Sequence, residues 1–233
     1  MHGTAARQLD SRPMPSALSA AILGFLLGLR HATDADHIVA VTAIVARERT
    51  FGRAIRIGAL WGVGHSLTLF VIGGAIVAFR LVIPPRLGLG LEFGVALMLI
   101  LLGFNNLRPA GERAPHEHPH LVAFHGLRPL IVGIVHGLAG SAAVALLVLA
   151  TIRETAWAIA YLAVFGVGTI AGMVLVTVLL AAPAMYASAR VVRLQLGIRL
   201  AAGALSLLFG LFLAREIVVT NGLFNAVPLW TPK

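Results

Sequence analysis

Five polar side chains fall within eight positions of an otherwise apolar stretch near the start of the chain, namely Arg30, His31, Asp34, Asp36 and His37. Burying three formal charges at the centre of a membrane helix costs roughly 8–10 kcal/mol on insertion scales. A sequence tolerates that cost when the groups pair, change their ionisation or bind a ligand. Imidazole and carboxylate together suit a borderline divalent ion such as nickel, cobalt or zinc. The cluster therefore predicts a transition-metal site.

The spacing within this cluster assigns different roles to its members. In a continuous helix of about 100° per residue, His31, Asp34 and His37 share one face as metal ligands. Asp36 then lies on nearly the opposite side, where its carboxylate could orient a histidine of another helix. Arg30 is placed to pair with Asp34 when no metal is bound. If the helix unwinds here, these angles no longer hold but the grouping survives.

Further candidates lie in later apolar segments. His65 is flanked by small residues that let helices approach closely, so it is predicted as the fourth metal ligand. His136 either joins the site or is a neutral histidine bonded to a backbone carbonyl. Further residues could orient a ligand or line the ion pathway. Beside Arg30, Asp36 and His136, these are Ser66, Ser141 and Asn105, although Asn105 could simply cap its helix.

Other functions are compatible with the same residues. The cluster could be a hydrogen-bond network that only fixes helix packing, or a proton relay without metal. The Gly140-Ser141 pair with nearby histidines could belong to an intramembrane hydrolase. No G-x-S-x-G pattern occurs, and the H-E-x-x-H match at residues 116–120 contains a proline and lies in the hydrophilic stretch rather than in an apolar segment, so we expect no enzyme. A membrane accessory protein that hands metal to a partner would share the site and differ only in whether ions cross.

Composition points to the lipid bilayer as the main environment. Of the 233 residues, 59% are hydrophobic and 12% charged, which is about half the charge of a typical soluble domain. The net charge of +9 comes from basic residues near the ends of apolar segments, where they contact lipid headgroups rather than nucleic acid. Cysteine is absent, so thiolate sites are excluded, and no prosthetic group is expected.

The apolar stretches predict an all-α polytopic membrane protein with six transmembrane helices. A hydrophilic stretch separates two halves of three segments, and Gly28 and His31 in the first half correspond to Gly133 and His136 in the second. An odd number of spans per half requires the halves to insert in opposite orientations, as two inverted repeats. The alternative is a plain six-helix bundle with chance glycine matches. The predicted spans are 16–46, 56–80, 89–107, 129–150, 156–182 and 194–214.

This pattern divides the chain into five parts. Residues 1–15 form an N-terminal tail, 16–107 the first repeat, 108–128 a His-containing hydrophilic loop, 129–214 the second repeat and 215–233 a C-terminal tail. Ten basic residues lie on the side of that loop and seven on the other. We therefore expect both termini outside the cell (inner) membrane and loop 108–128 in the cytoplasm.

The stretch Arg30-His31-Ala32-Thr33-Asp34-Ala35-Asp36-His37-Ile38 resembles the R-H-A-x-D-A-D-H-I motif of the nickel/cobalt transporter (NiCoT) family at every fixed position. Gly64-His65-Ser66 resembles that family's second motif, G-H-S. The resemblance implies a secondary permease with Ni²⁺ or Co²⁺ as its transported substrate. It also implies that the two histidines and two aspartates of the first motif, with His65, serve recognition or translocation.

The chain departs from that family in two respects. Many members have eight segments, and we expect this chain to lack the leading one. The later acidic motif L-G-F-D-T-A-T-E has no counterpart, and His136 without a carboxylate occupies a comparable place. This short form resembles membrane proteins grouped with urease accessory functions. The resemblance therefore adds nickel-enzyme maturation proteins as expected partners.

Overall fold

The described residues of this computed structural model are 17–48, 50–79, 83–108, 119–138, 154–188 and 192–230. Within them the secondary structure is helical, with no strand. The α-helices are α1 (Ala17–His31), α2 (Ala35–Val45), α3 (Phe51–Phe79), α4 (Pro85–Leu107), α5 (Pro119–Leu138), α6 (Thr155–Ser188) and α7 (Val192–Arg215), followed by a π-helical turn at Glu216–Thr220.

The first predicted segment is broken at its polar cluster. Helix α1 ends at His31 and α2 begins at Ala35, with Asp34 extended at φ −61° and ψ 147°. Two backbone hydrogen bonds between residues three apart form the connection. Thr33 N–H donates to the Arg30 carbonyl, and Asp34 N–H donates to the His31 carbonyl. Because the helix is interrupted here, the angular relation expected for a continuous helix does not apply to Asp36 and the other cluster residues.

The boundaries of the other segments differ in detail. Helix α3 begins five residues before the predicted span of 56–80, and α4 begins at Pro85, a residue type suited to the first helical turn. Helix α5 begins at Pro119, so the second half of the predicted hydrophilic loop 108–128 is helical. The rest of predicted span 129–150, with Ser141, lies outside the described residues.

Four of the described helical stretches are long and apolar enough to cross a membrane. They are Phe51–Ile76, Pro85–Leu107, Thr155–Tyr186 and Arg193–Thr220. Three shorter apolar helices accompany them, namely Leu18–His31, Ala35–Val45 and Gly126–Leu138. The first two are short because the break at residues 32–34 divides one apolar segment between them. Each therefore supplies only part of a spanning length of about 20 residues.

Helices from the two halves of the chain pack against each other through glycines. A Cβ atom added to Gly28 in α1 would overlap the carbonyl oxygen of Phe165 in α6. In the same way, a Cβ added to Gly133 in α5 would overlap the carbonyl oxygen of Trp61 in α3. Residue 133 follows residue 28 by 105 positions, and residue 165 follows residue 61 by 104. Matching positions therefore make matching contacts.

The same correspondence holds where the third segments of the halves meet. Gly103 in α4 packs on the backbone of Gly203 and Leu207 in α7. Gly210 in α7 packs on the backbone of Ala96 in α4, and its other neighbour is Ile100. Each of these α7 positions follows its α4 counterpart by 107 positions. Small residues at such crossings let helix backbones approach closely.

Candidate metal centre

The end of α1 and the middle of α3 bring two buried histidines into direct contact. The Nε2 atoms of His31 and His65 lie 2.9 Å apart, so one ring donates a hydrogen bond to the other. His31 also bonds through Nδ1 to the Asp34 carboxylate at 2.8 Å. Gly64 beside His65 packs on the backbone of Leu130, which allows α5 to lie close by. The site thus begins where α1, α3 and α5 converge.

His37, in the first turn of α2, completes a triangle of imidazoles. Its ring centroid lies 4.9 Å from that of His31 and 4.9 Å from that of His65. These three buried side chains each offer a ligand atom, and the three atoms lie within 4.8 Å of one another. Two nitrogens bound to one ion through bonds of about 2.0–2.1 Å lie at most about 4.2 Å apart, so small ring movements would bring all three side chains onto a single ion.

Asp36 links this triangle to the second half of the chain. One carboxylate oxygen accepts hydrogen bonds from the backbone N–H and the Nδ1 atom of His37, at 2.9 and 3.0 Å. The other accepts from Nε2 of His136 in α5, at 3.0 Å. Asp36, His37 and His136 form a second group whose ligand atoms lie within 4.8 Å. His37 therefore belongs to both groups.

The carboxylates leave ring nitrogens available for an ion. Because Nδ1 of His37 donates to Asp36, its neutral ring carries a lone pair on Nε2. That Nε2 atom is buried with no hydrogen-bond partner among the described residues, as are Nδ1 of His65 and Nδ1 of His136. A buried polar atom without a partner costs about 1–3 kcal/mol. Metal-ligating histidines commonly donate their other N–H to a carboxylate, as His37 and His136 do to Asp36, so these two rings fit a metal ion, and His65 is bonded to His31 instead.

Asp34 and Arg30 lie at the edge of the cluster. The Asp34 side chain is 42% exposed and belongs to neither group of closely spaced ligand atoms. Its carboxylate bonds to His31, whereas the Arg30 side chain is exposed and has no such bond to it in the described part of the chain. The predicted Arg30–Asp34 pair is therefore wrong, because the Asp34 carboxylate bonds to the imidazole of His31 instead.

Two further predicted residues make hydrogen bonds outside the group of imidazoles, and a third is not described. Ser66 Oγ donates to the Gly166 carbonyl and so joins α3 to α6. Asn105, at the end of α4, accepts a hydrogen bond from Arg47 through its backbone carbonyl. Ser141 lies outside the described residues.

Trp61 is a residue of the site that sequence reasoning gave no role. It is fully buried, and its ring centroid lies 5.5 Å from that of His37 and 5.7 Å from that of His136. Trp61 precedes His65 by one helical turn, so a shared face of α3 was the signal that could have identified it. Phe165 makes the corresponding contact with His31 at 5.6 Å.

The described part of the chain is helical, and its long apolar helices with a buried group of histidines define a membrane protein with a candidate metal site. The family described as a high-affinity nickel-transport protein, NicO, matches residues 17–107. The chain is 35% identical over 226 residues to the urease accessory protein UreH of Bacillus sp. (strain TB-90), covering 91% of this chain and 96% of that protein. The chain therefore belongs to this nickel-transport family, as its two motifs predicted.

A second relative matches a shorter region. A high-affinity nickel transport protein of Cupriavidus necator is 33% identical over 84 residues, which cover 36% of this chain and 24% of that protein. No solved structure matches the chain. These names describe a transport protein and an accessory protein, and the chain is a member of a transport family rather than an enzyme.

Proposed function

We propose that the protein is a secondary transporter of divalent transition-metal ions, with Ni²⁺ as the preferred substrate and Co²⁺ as the alternative. The observation that carries this proposal is the triangle of buried imidazoles from His31, His37 and His65. Nitrogen and carboxylate ligands without thiolates bind such ions reversibly, which a carrier needs. The names of the two relatives support nickel as the ion.

Two overlapping ligand groups give the ion two neighbouring positions. In the first, His31, His37 and His65 hold it; in the second, Asp36, His37 and His136 do. Because His37 belongs to both, the ion can move from one group to the other without releasing every ligand. Asp34 was predicted as a ligand; we propose that it acts from the edge by orienting His31, to which it is bonded.

We infer that residues 16–107 and 129–214 are inverted repeats around this site. The matching glycine contacts between α1 and α6, α5 and α3, and α4 and α7 support a two-fold relation between the halves. With loop 108–128 in the cytoplasm, both termini lie outside the inner membrane, in agreement with the distribution of basic residues. A hydrated ion then enters from one side and leaves when the halves rock.

A metal-handling accessory protein is the second candidate. The relative with 96% of its length covered is called a urease accessory protein, which favours a partner among nickel-enzyme maturation proteins. Such a protein would bind nickel at the same histidines and pass it on without carrying it across the bilayer. Ion flux therefore separates the two functions.

Radioactive nickel flux into proteoliposomes tests the transporter proposal. We expect saturable nickel uptake that depends on a proton gradient. Cobalt should inhibit this uptake more strongly than zinc. His37→Ala should abolish it, because both ligand groups lose a member. Val41→Ala, one turn further along α2 and also fully buried, is the matched control for loss of core volume and should retain most of the uptake.

The outcomes divide the candidates clearly. Nickel bound by the wild-type protein without any flux would favour the accessory function. Normal uptake by His37→Ala, with the variant present in the membrane at the wild-type amount, would contradict the proposed site.

A further inference from the structure

A basic cavity lies at the ends of the helices that carry the metal ligands. Its volume is about 550 Å³, and it is lined by residues of α2, α3, α4 and α5 and by the residues just after α2. Its described charged lining residues are four arginines and one glutamate, namely Arg47, Arg53, Arg56, Arg128 and Glu48. We call this cavity the basic vestibule. Its described side chains carry an excess of positive charge.

One of these guanidinium groups is held in place by α4. Arg47 Nε donates to the side-chain oxygen of Asn106 at 3.1 Å, and its Nη2 donates to the carbonyl of Asn105 at 2.9 Å. Asn106 in turn donates to the Ala43 carbonyl in α2. The arginine is thus fixed at the wall of the cavity rather than extended into solvent, which reduces the entropy lost when it binds an anion.

The vestibule and the candidate metal centre are stacked along the same helices. Arg47 lies ten residues after His37, Arg56 nine residues before His65, and Arg128 eight residues before His136. At 1.5 Å per helical residue, the two levels are about 12–15 Å apart. A divalent cation gains nothing from a wall of arginines, so these residues are not further metal ligands.

We propose that the basic vestibule binds a phosphate-bearing anion. Guanidinium groups bind phosphate oxygens through paired N–H donors, and several arginines around one cavity favour a ligand with a concentrated negative charge. Basic pockets between membrane helices take lipid headgroups of this kind. The same chemistry would accept a soluble phosphate compound, so the phosphate group defines the ligand class and its source is a matter for the test.

Native mass spectrometry of the purified, delipidated full chain in detergent tests this inference without using nickel. One titration uses phosphatidylglycerol, with phosphatidylcholine as the zwitterionic lipid control, and the other uses inorganic pyrophosphate. We expect saturable binding of phosphatidylglycerol or of pyrophosphate. Preference for the lipid identifies a headgroup as the source, and preference for pyrophosphate identifies a soluble anion.

Substitutions locate the binding. Arg53→Gln and Arg56→Gln change exposed side chains of the vestibule and should each weaken binding about fivefold. Arg193→Gln removes an equally exposed arginine at the start of α7, outside the vestibule, and should leave affinity within about twofold of wild type. Arg56→Lys keeps the charge and should recover part of the loss.

Three results would overturn the proposal. The first is that neither phosphate ligand binds saturably to the wild-type protein. The second is that the two vestibule variants bind as the wild type does, and the third is that Arg193→Gln weakens binding as much as they do. Thermal melting of every variant verifies that it is folded, and none of these results depends on whether the protein transports nickel.

Discussion

The two halves of the chain share their packing and differ in their chemistry. Gly28 and Gly133 occupy matching positions and press on matching backbone atoms of the opposite half. One turn of helix further along, His31 and His136 also match. In α3 and α6, however, His65 corresponds to Thr169, whose hydroxyl only bonds back to the Phe165 carbonyl. Close backbone approach requires small residues in both halves, whereas the ligand groups draw most of their members from the first half and only His136 from the second.

Asp36 shows how the unequal halves still form one site. Its carboxylate accepts hydrogen bonds from His37 in its own half and from His136 in the other. Asp34, two residues earlier, reaches only His31 and is much more exposed. One carboxylate, that of Asp36, therefore joins the histidines of the two halves where α2 meets α5.

The largest effect is expected from making the halves chemically alike at the position of His65. His65→Thr places the residue of the second half in the first and removes a ligand from the imidazole triangle. We expect nickel uptake to fall by more than about 100-fold, beyond the loss typical of residues that only orient a ligand. Uptake into proteoliposomes is the measurement.

Thr169→Val is the control for that change, because it removes a buried hydroxyl and keeps the side-chain volume. It should leave uptake within about threefold of wild type, since its hydroxyl makes only a local bond worth about 1 kcal/mol or less. Equal losses in the two variants would show that the halves contribute alike.

An intermediate effect is expected from the carboxylate that joins the halves. Asp36→Asn keeps the shape of the side chain but weakens its bonds to His37 and His136. Nickel affinity, measured by calorimetry, should fall about 10–100-fold, because the amide orients His37 less firmly and is a weaker ligand for the ion in the second group. Asp34→Asn affects His31 alone at an exposed position, so its loss should stay below about tenfold. A larger loss from Asp34→Asn would reverse the roles assigned to the two residues.

Substitution of the matching glycines should have the smallest effect on nickel uptake. It should, however, lower the stability of the protein measurably. Gly28→Ala and Gly133→Ala each force a helix away from a backbone carbonyl, which should cost about 1–3 kcal/mol of stability. The two losses should agree within about 1 kcal/mol if the halves pack alike. Melting in detergent, followed by tryptophan fluorescence, measures them.

Gly74→Ala provides the matched glycine control within α3. A Cβ at this position meets no atom within 4 Å, so the substitution should be neutral or slightly stabilising. Destabilisation by Gly28→Ala that is no greater than that by Gly74→Ala would remove the evidence for close packing between α1 and α6.

The sequence predicted the class of protein and the residues on which the site depends. Apolar runs with few charges predicted helices, and the cluster between Arg30 and His37 could not lie in lipid without a function. His65 was selected because small neighbours let its helix approach the cluster. The family resemblance rested on the same residues, since side-chain type and local spacing are properties that a sequence contains directly.

Which side chains meet was decided by the tertiary structure. The break between His31 and Ala35 removed the angular argument that had separated Asp36 from the imidazoles, and Asp34 bonds to His31 rather than to Arg30. The contact between Asp36 and His136 spans 100 positions, and Trp61 became part of the site only through the crossing of α3 and α5. Local spacing fixes positions along one helix, but contacts between helices depend on how closely their backbones approach, and that is set by all the packing residues together.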